Sequence, residues 1–334
     1  MEYVKLGTSD LKVSKICLGC MSFGQKTKMW PWTLDQEKTD QIIKKALDLG
    51  INFFDTANCY ADGSSETFIG NSFKKFVKDR KDIVVATKVR WNEGQLSKEA
   101  ILREIDGSLK RLQMDYVDLY IIHRWDYDHS IEETMEALHE LVKQKKVRYL
   151  GCSSIFPYQL LKANTIARKN GWTPFISIQN HYNLIYREEE REMIQLLEEE
   201  KMVMTPYSVL AAGRLCRLPE EQSERSKDDT NSNFKYDHCK EVDKVVIKRV
   251  KEVADKMKIS MTLVALGWIF SKKIVASALL GFTKIEQLEE AVKGLKVKLS
   301  DDDIKYLEEC YVPHNLVGPL SRPQKKYFEF YLSK

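Results

Sequence analysis

The sequence predicts an α/β fold in which eight parallel strands and their helices close into a (β/α)8 TIM barrel. Three observations carry that expectation. Short apolar runs rich in branched and aromatic residues alternate, from Lys15 to Lys293, with longer stretches of helical period. The 334 residues modestly exceed the roughly 250 of such a barrel, which favours one barrel with insertions over two domains. Finally, the apolar runs end in polar residues at Asp55, Lys88 and His123, as expected where strand ends share a chemically active face.

In chain order, residues 1–13 form an N-terminal β-hairpin around the turn Gly7-Thr8-Ser9-Asp10, placed to plug the barrel bottom. A strand through Leu18 is followed by a helix over 34–49, capped by Thr33 and stopped by Gly50. Strand 52–55, helix 66–77, strand 83–88, helix 98–112, strand 116–123 and helix 131–144 come next. Strand 149–153, helix 158–170, strand 176–179, helix 187–200 and strand 202–207 bring the strands to seven. Residues 211–241 break the alternation as an extended polar loop after strand 7. Two extra helices, 242–257 and 261–272, precede an eighth strand at 275–280 and a helix at 285–293. Ser300-Asp301-Asp302-Asp303 caps a last helix ending near Tyr311, with acids favouring its positive end. The tail 312–334, with three prolines, is expected to be largely irregular within a single domain spanning 1–334.

Composition narrows the function. A formal net charge of +4 with 43% hydrophobic residues argues against nucleic acid or an anionic membrane as partner. No apolar run approaches a membrane span, and the amino terminus lacks a basic flank with an apolar core. Seven cysteines, an odd number without framework spacing, suit a reducing, cytoplasmic compartment. Oligomeric state leaves no signal.

Asp55, Tyr60, Lys88 and His123 would converge at one barrel mouth. A tyrosine with an unperturbed pKa of about 10 gives up its proton reluctantly, so a lysine partner is expected to make the phenolate cheaper. Lowering that pKa by three units would take about 4 kcal/mol. An aspartate would keep the lysine charged, and a histidine would orient a carbonyl. The missing component is a hydride, which side chains cannot supply, so a nicotinamide cofactor is implied. Singly, Asp55 could be a turn residue, Lys88 a snorkelling strand end, Tyr60 a rim aromatic and His123 a hydrogen-bonded core histidine. His129, His139, His181, His238 and His314 lack comparable context.

These four residues, with Gly19-Cys20-Met21-Ser22-Phe23-Gly24, Asp55-Thr56-Ala57, Ala86-Thr87-Lys88, His123-Arg124-Trp125-Asp126 and Gln179-Asn180-His181-Tyr182-Asn183-Leu184, resemble the aldo-keto reductase superfamily. The resemblance runs from Val4 to about Pro313 and is closest to the fungal aryl-alcohol-dehydrogenase-like branch. It implies NADP(H) as cofactor and a small carbonyl compound as substrate. Neither a Gly-x-Gly-x-x-Gly nor a Walker loop follows a strand. The resemblance instead implies pyrophosphate contacts from Ser208, Leu210, Gly213 and Arg214, with Tyr207 stacking on the nicotinamide. Val209 and Ala212 stand where the branch carries proline and arginine. Thr283 and Lys284 are implied at the 2′-phosphate after Gly281, Gln287 at its edge and Glu290 at the adenine amine. Ser153, Ser154 and Gln179 are implied at the carboxamide, and Gly19, Met21 and Asp55 near the nicotinamide ribose.

Other features admit plainer readings. Cys17-Leu18-Gly19-Cys20 has metal-like spacing, but no second pair accompanies it and Cys17 sits in a strand pattern, so no metal site is assigned. Trp30, Trp32, Trp91 and Trp125 lie in strand-to-helix loops and are expected to line an apolar substrate pocket, packing beneath the loops being the alternative. Cys59 and Cys20, near the expected site, would be redox-sensitive if Lys88 lowered their pKa and inert if buried. Two other functions compete with carbonyl reduction. One is a non-catalytic nucleotide-binding partner, since voltage-gated potassium channel β subunits share the resemblance. The other is a Schiff-base lyase working through Lys88.

Overall fold

A computed structural model describes residues 1–28, 30–221, 235–236 and 239–312. Strands β1 (Tyr3–Lys5) and β2 (Lys12–Ser14) pair antiparallel, with Val4 opposite Val13. The barrel strands are β3 (Ile16–Gly19), β4 (Phe53–Asp55), β5 (Val84–Val89), β6 (Val117–Ile122), β7 (Val147–Ser153), β8 (Phe175–Gln179), β9 (Val203–Met204) and β10 (Ala278–Leu280). They form one parallel sheet in the order β10-β3-β4-β5-β6-β7-β8-β9. Met204 bridges in parallel to Val275, and the N–H groups of Ala276 and Leu279 donate to the carbonyls of Met204 and Pro206, both at 2.9 Å, which closes the barrel.

Helices α1 (Gln36–Asp48), α2 (Ser64–Phe76), α3 (Lys98–Leu112), α4 (Ile131–Lys143), α5 (Pro157–Lys169) and α6 (Met193–Glu199) cover the outside, one after each strand from β3 to β8. After β9 come α7 (Lys240–Met257) and α8 (Met261–Ser271), and β10 leads into α9 (Ile285–Gly294) and α10 (Asp301–Glu308).

Side-chain alternation splits the apolar residues into two clusters. Phe54, Val85, Tyr120 and Ile122 face the helices, whereas Phe53, Val84, Ala86, Leu119 and Ile121 face the barrel interior. Leu6, Leu11 and Val13 of the hairpin join the interior cluster and so plug the barrel as expected. Continuing the same alternation by one step puts Asp55, Lys88 and His123 on the inner face above this plug. Cys17 falls in the inner cluster and Cys20 in the outer one, so the two thiols of the C-x-x-C belong to different cores.

Three local expectations need correction. Asp35, not Thr33, caps α1, accepting from Lys38 N at 3.0 Å, while the Thr33 hydroxyl donates to the Trp30 carbonyl. The helix expected over 187–200 is confined to α6, because the acids before it take separate partners. Glu188 pairs with Arg191, Glu189 accepts from Asn180, and Glu190 pairs with Arg187 and accepts from Tyr182. Only a short 3-10 turn, Glu188–Glu190, survives there. The seventh strand stops at Met204 because Pro206 has no N–H to extend the ladder, and Tyr207 is held by a lone bridge to His181. The expected irregular tail from 313 onward, much of the loop after strand 7, His238 and His314 lie outside the described residues.

Candidate active site

Lys88 is fully buried, and its ammonium donates to three acceptors: Asp55 Oδ1 at 2.5 Å, the Thr56 carbonyl at 2.7 Å and the Tyr60 hydroxyl at 3.3 Å. An ammonium has three N–H bonds, so none is left over. β4 delivers Asp55 and β5 delivers Lys88, with Asp55 paired to Ala86 in the ladder. The backbone turn after β4 is tied to β5 by Thr56 N on the Ala86 carbonyl and Asn58 N on the Lys88 carbonyl. It brings Tyr60 round into a 3-10 turn, Tyr60–Gly63, whose Ala61 and Asp62 have left-handed φ of 47° and 54°. Strain of this kind persists only where the surroundings fix it.

His123 follows β6, its N–H continuing the ladder onto the Val89 carbonyl at 2.9 Å. Its ring meets Tyr60 edge-on at 5.7 Å, and Cys59 Sγ lies 3.9 Å from its Nδ1. Asp55 is tied from its other oxygen by Gln179 Nε2 at 2.9 Å. Thus the four residues singled out from sequence converge, and Thr56 joins them through a carbonyl that composition could not flag.

Their electrostatics differ from the expectation in one respect. Burial pushes the Tyr60 phenol up to about 12, against the pull of the Lys88 ammonium, so the net shift is upward rather than downward. Burial lowers Lys88, but the Asp55 and Tyr60 contributions more than offset it, and the ammonium stays charged. Burial also lifts Asp55 from its ordinary value, against the pull of Lys88. His123 is held well below the ordinary imidazole range by burial, then by the charges of Lys88, Arg124 and Arg90, and is neutral. At neutral pH the site therefore presents a protonated phenol whose oxygen already accepts from Lys88, leaving its own hydrogen to donate outward. Burial raises the Cys59 thiol to about 11 and raises Cys20 as well, so both are poor thiolates.

The Aldo/keto reductase family profile matches residues 15–312. The chain belongs to the aldo/keto reductase family. An aldo-keto reductase of Fusarium vanettenii is 37% identical over 95% of this chain and 93% of that protein. Versiconal hemiacetal acetate reductase of Aspergillus parasiticus is 38% identical over 94% of this chain and 98% of its own length. A provisionally named aryl-alcohol dehydrogenase of Schizosaccharomyces pombe is 38% identical, covering 95% of this chain and 98% of that protein. The branch read from the motifs agrees with these relatives.

Within this aldo/keto reductase, Gly19 ends β3 beside Gly281, which follows β10, and Met21 sits in the 3-10 turn Cys20–Ser22. Ser153 Oγ donates to the Gln179 carbonyl at 2.7 Å, and Ser154, at a left-handed φ of 53°, donates its N–H to Asn180 Oδ1. Tyr207 stacks on His181, which stacks in turn on Tyr186, and the Lys235 ammonium lies 5.0 Å over the Tyr207 ring. Ser208 has a left-handed φ of 55° and its carbonyl accepts from Asn183. Leu210 precedes the 3-10 turn Ala211–Gly213, and the Arg214 guanidinium lies 4.8 Å over the ring of Tyr236. Gln287 Oε1 accepts from Thr283 N and Lys284 N at the start of α9, and Glu290 accepts from Ser260 Oγ. Lys284 is exposed and makes no ion pair among the described residues.

Of the tryptophans, Trp30 approaches Tyr60 edge-on at 6.1 Å and Trp91 approaches His123 at 6.4 Å, so both border the site. Trp125 is partly buried and packs against the outer core. Sequence reasoning passed over His181, whose Nε2 meets the Tyr236 hydroxyl at 2.6 Å, and Arg124. Arg124 stands beside His123 in the chain, and that adjacency was the available signal.

Proposed function

We propose that the chain reversibly reduces aldehydes and ketones to alcohols with NADPH, Tyr60 acting as general acid. NADP(H), when bound, supplies the hydride that no side chain can. Tyr60 donates its hydroxyl proton to the carbonyl oxygen, and Lys88, already hydrogen-bonded to that hydroxyl, stabilises the negative charge left on it. Asp55 keeps Lys88 charged and aimed, with Thr56 and Gln179 fixing the pair. Neutral His123 donates a hydrogen bond that orients the carbonyl, and Trp30 and Trp91 supply apolar walls. The single observation carrying the reading is the saturated Lys88 ammonium between Asp55 and Tyr60.

Residues present suit the cofactor. Arg214 and Lys284 offer cations for its phosphates, and the left-handed φ of 88° at Gly213 lets a loop backbone curl closely around an anion. Names of the relatives as reductases or dehydrogenases support the reaction class. Seven free cysteines support a cytoplasmic setting. No helix among the described residues is long and apolar enough to cross a membrane.

Wild-type protein mixed with NADPH and a panel of aliphatic, aryl and dicarbonyl compounds tests the reading by loss of reduced-nicotinamide absorbance. Tight NADPH binding without turnover of any compound would favour the non-catalytic nucleotide binder. Lys88 as a Schiff-base nucleophile is disfavoured, because a charged ammonium with all three N–H bonds engaged has no lone pair to offer.

A further inference from the structure

Two arginines at the barrel mouth lack the carboxylate partners that several other arginines have. Arg80 pairs with Asp118, Arg111 with Glu66, Arg148 with Asp118, and Arg187 with Glu190 and Glu308. Arg90, just after β5, and Arg124, just after His123, make no ion pair or hydrogen bond among the described residues, and Arg90 Nε is buried without an acceptor. Asp126 and Asp128 act on Arg90 only from beyond ion-pair distance, and both are engaged elsewhere, Asp126 by Leu96 N and His129, Asp128 by Gln95. No carboxylate is among the largest influences on Arg124, and after burial and Tyr207 the next is the repulsion of Arg90.

One ring holds both groups. The guanidinium carbons of Arg90 and Arg124 lie 4.5 Å and 4.8 Å from the ring centroid of Trp91, which is 45% exposed. Trp91 in turn meets His123, and His123 meets Tyr60. Stacking on an indole leaves the N–H edges of a guanidinium free to take a carboxylate in a two-pronged grip. Two like charges, partly desolvated and unpaired, are costly to keep together unless an anion visits them.

We propose that Arg90 and Arg124 form an anion subsite separated from His123 by the single ring of Trp91, with Tyr60 on the far side of His123, so that the preferred substrates are carbonyl compounds carrying a carboxylate. This rests on the reading of Tyr60 and His123 as the carbonyl-binding end. The aldehyde or ketone oxygen sits at Tyr60, and the carboxylate of the same molecule sits on the arginine pair over Trp91.

The test uses two readouts at fixed ionic strength. Benzoate, with benzyl alcohol as the neutral control, is titrated against intrinsic tryptophan fluorescence of the wild type, Arg90→Gln and Arg124→Gln. The proposal expects saturable quenching by benzoate alone, weakened about tenfold or more in either variant. In parallel, kcat/KM with NADPH is compared for para-carboxybenzaldehyde and its methyl ester. The acid should be favoured about tenfold or more in the wild type, and that ratio should fall toward one in Arg124→Gln. Equal benzoate binding in all three proteins, or an unchanged ratio, overturns the subsite. So does a loss of NADPH affinity in Arg124→Gln that accounts for the whole effect, since the arginine would then serve the cofactor. Benzoate binding that depends on the arginines, without turnover of either aldehyde, would uphold the subsite and defeat the reductase reading.

Discussion

Replacing Lys88 by Met tests the arrangement at its most constrained point. Lys88 is 0% exposed and the Asp55 side chain 2%, with 2.5 Å between ammonium and carboxylate. Removing the cation leaves Asp55 buried with Gln179 as its remaining donor. Breaking such a pair typically costs about 3–5 kcal/mol, a large share of the ~5–15 kcal/mol that holds a domain folded. Replacing both members is different, because no charge is then stranded. In Asp55→Asn with Lys88→Met, the amide can still accept from Gln179, and the main residual loss is the donor to the Thr56 carbonyl, about 1–2 kcal/mol. Chemical denaturation followed by circular dichroism should therefore show the double variant recovering at least about 2 kcal/mol relative to Lys88→Met. Turnover should not recover, and both variants should stay at least about 10²-fold below wild type. A double variant no more stable than Lys88→Met, or one that regains activity, would refute the reasoning.

Other consequences can be measured separately. Lys284→Ala should weaken NADPH about tenfold or more and leave NADH unchanged, as measured by fluorescence titration; equal losses would show that Lys284 does not read the 2′-phosphate. Glu189, buried and tied to Asn180, is raised by burial from about 4.5 to about 7. A carboxyl raised on folding stabilises fully below its unfolded value of about 4.5 and loses that contribution as pH rises through about 7, roughly 3 kcal/mol in all. Glu189→Gln should thus gain stability on wild type between pH 5 and 8, and a constant difference across that range would count against it. With Cys59 raised to about 11, peroxide at neutral pH should inactivate the wild type and Cys59→Ser at similar, slow rates. Protection confined to Cys59→Ser would show a reactive thiolate there.

The inner face of the barrel was legible because strand alternation has a fixed period. Once β4, β5 and β6 are recognised, Asp55, Lys88 and His123 fall on the inside together, and the turn after β4 has little room to put Tyr60 elsewhere. Helix positions were legible where an amphipathic stripe and a cap coincide, as in α3, which begins after Ser97 and covers Lys98–Leu112 as expected. Residues 187–192 were not, because three consecutive acids read as an exposed helix start, whereas here they are drawn to Arg187 and Arg191 within the segment and to Asn180 and Tyr182 just before it. The direction of the Tyr60 shift was missed for a related reason. A neighbouring lysine can be inferred from order along the chain, whereas the depth of burial that outweighs it depends on packing. Gln287 accepts from Thr283 N and Lys284 N at the start of α9, a local contact that its spacing allows alongside the expected place at the 2′-phosphate edge. Arg90 and Arg124 became conspicuous only through missing partners, which a sequence does not display.

Steady-state kinetics of wild type and Tyr60→Phe, with NADPH and one aryl aldehyde, test the central claim most directly. The ring is kept and the hydroxyl accepting from Lys88 is removed. The account predicts a fall in kcat of at least about 10²-fold with NADPH affinity nearly unchanged. Turnover by Tyr60→Phe at a rate near wild type would contradict it.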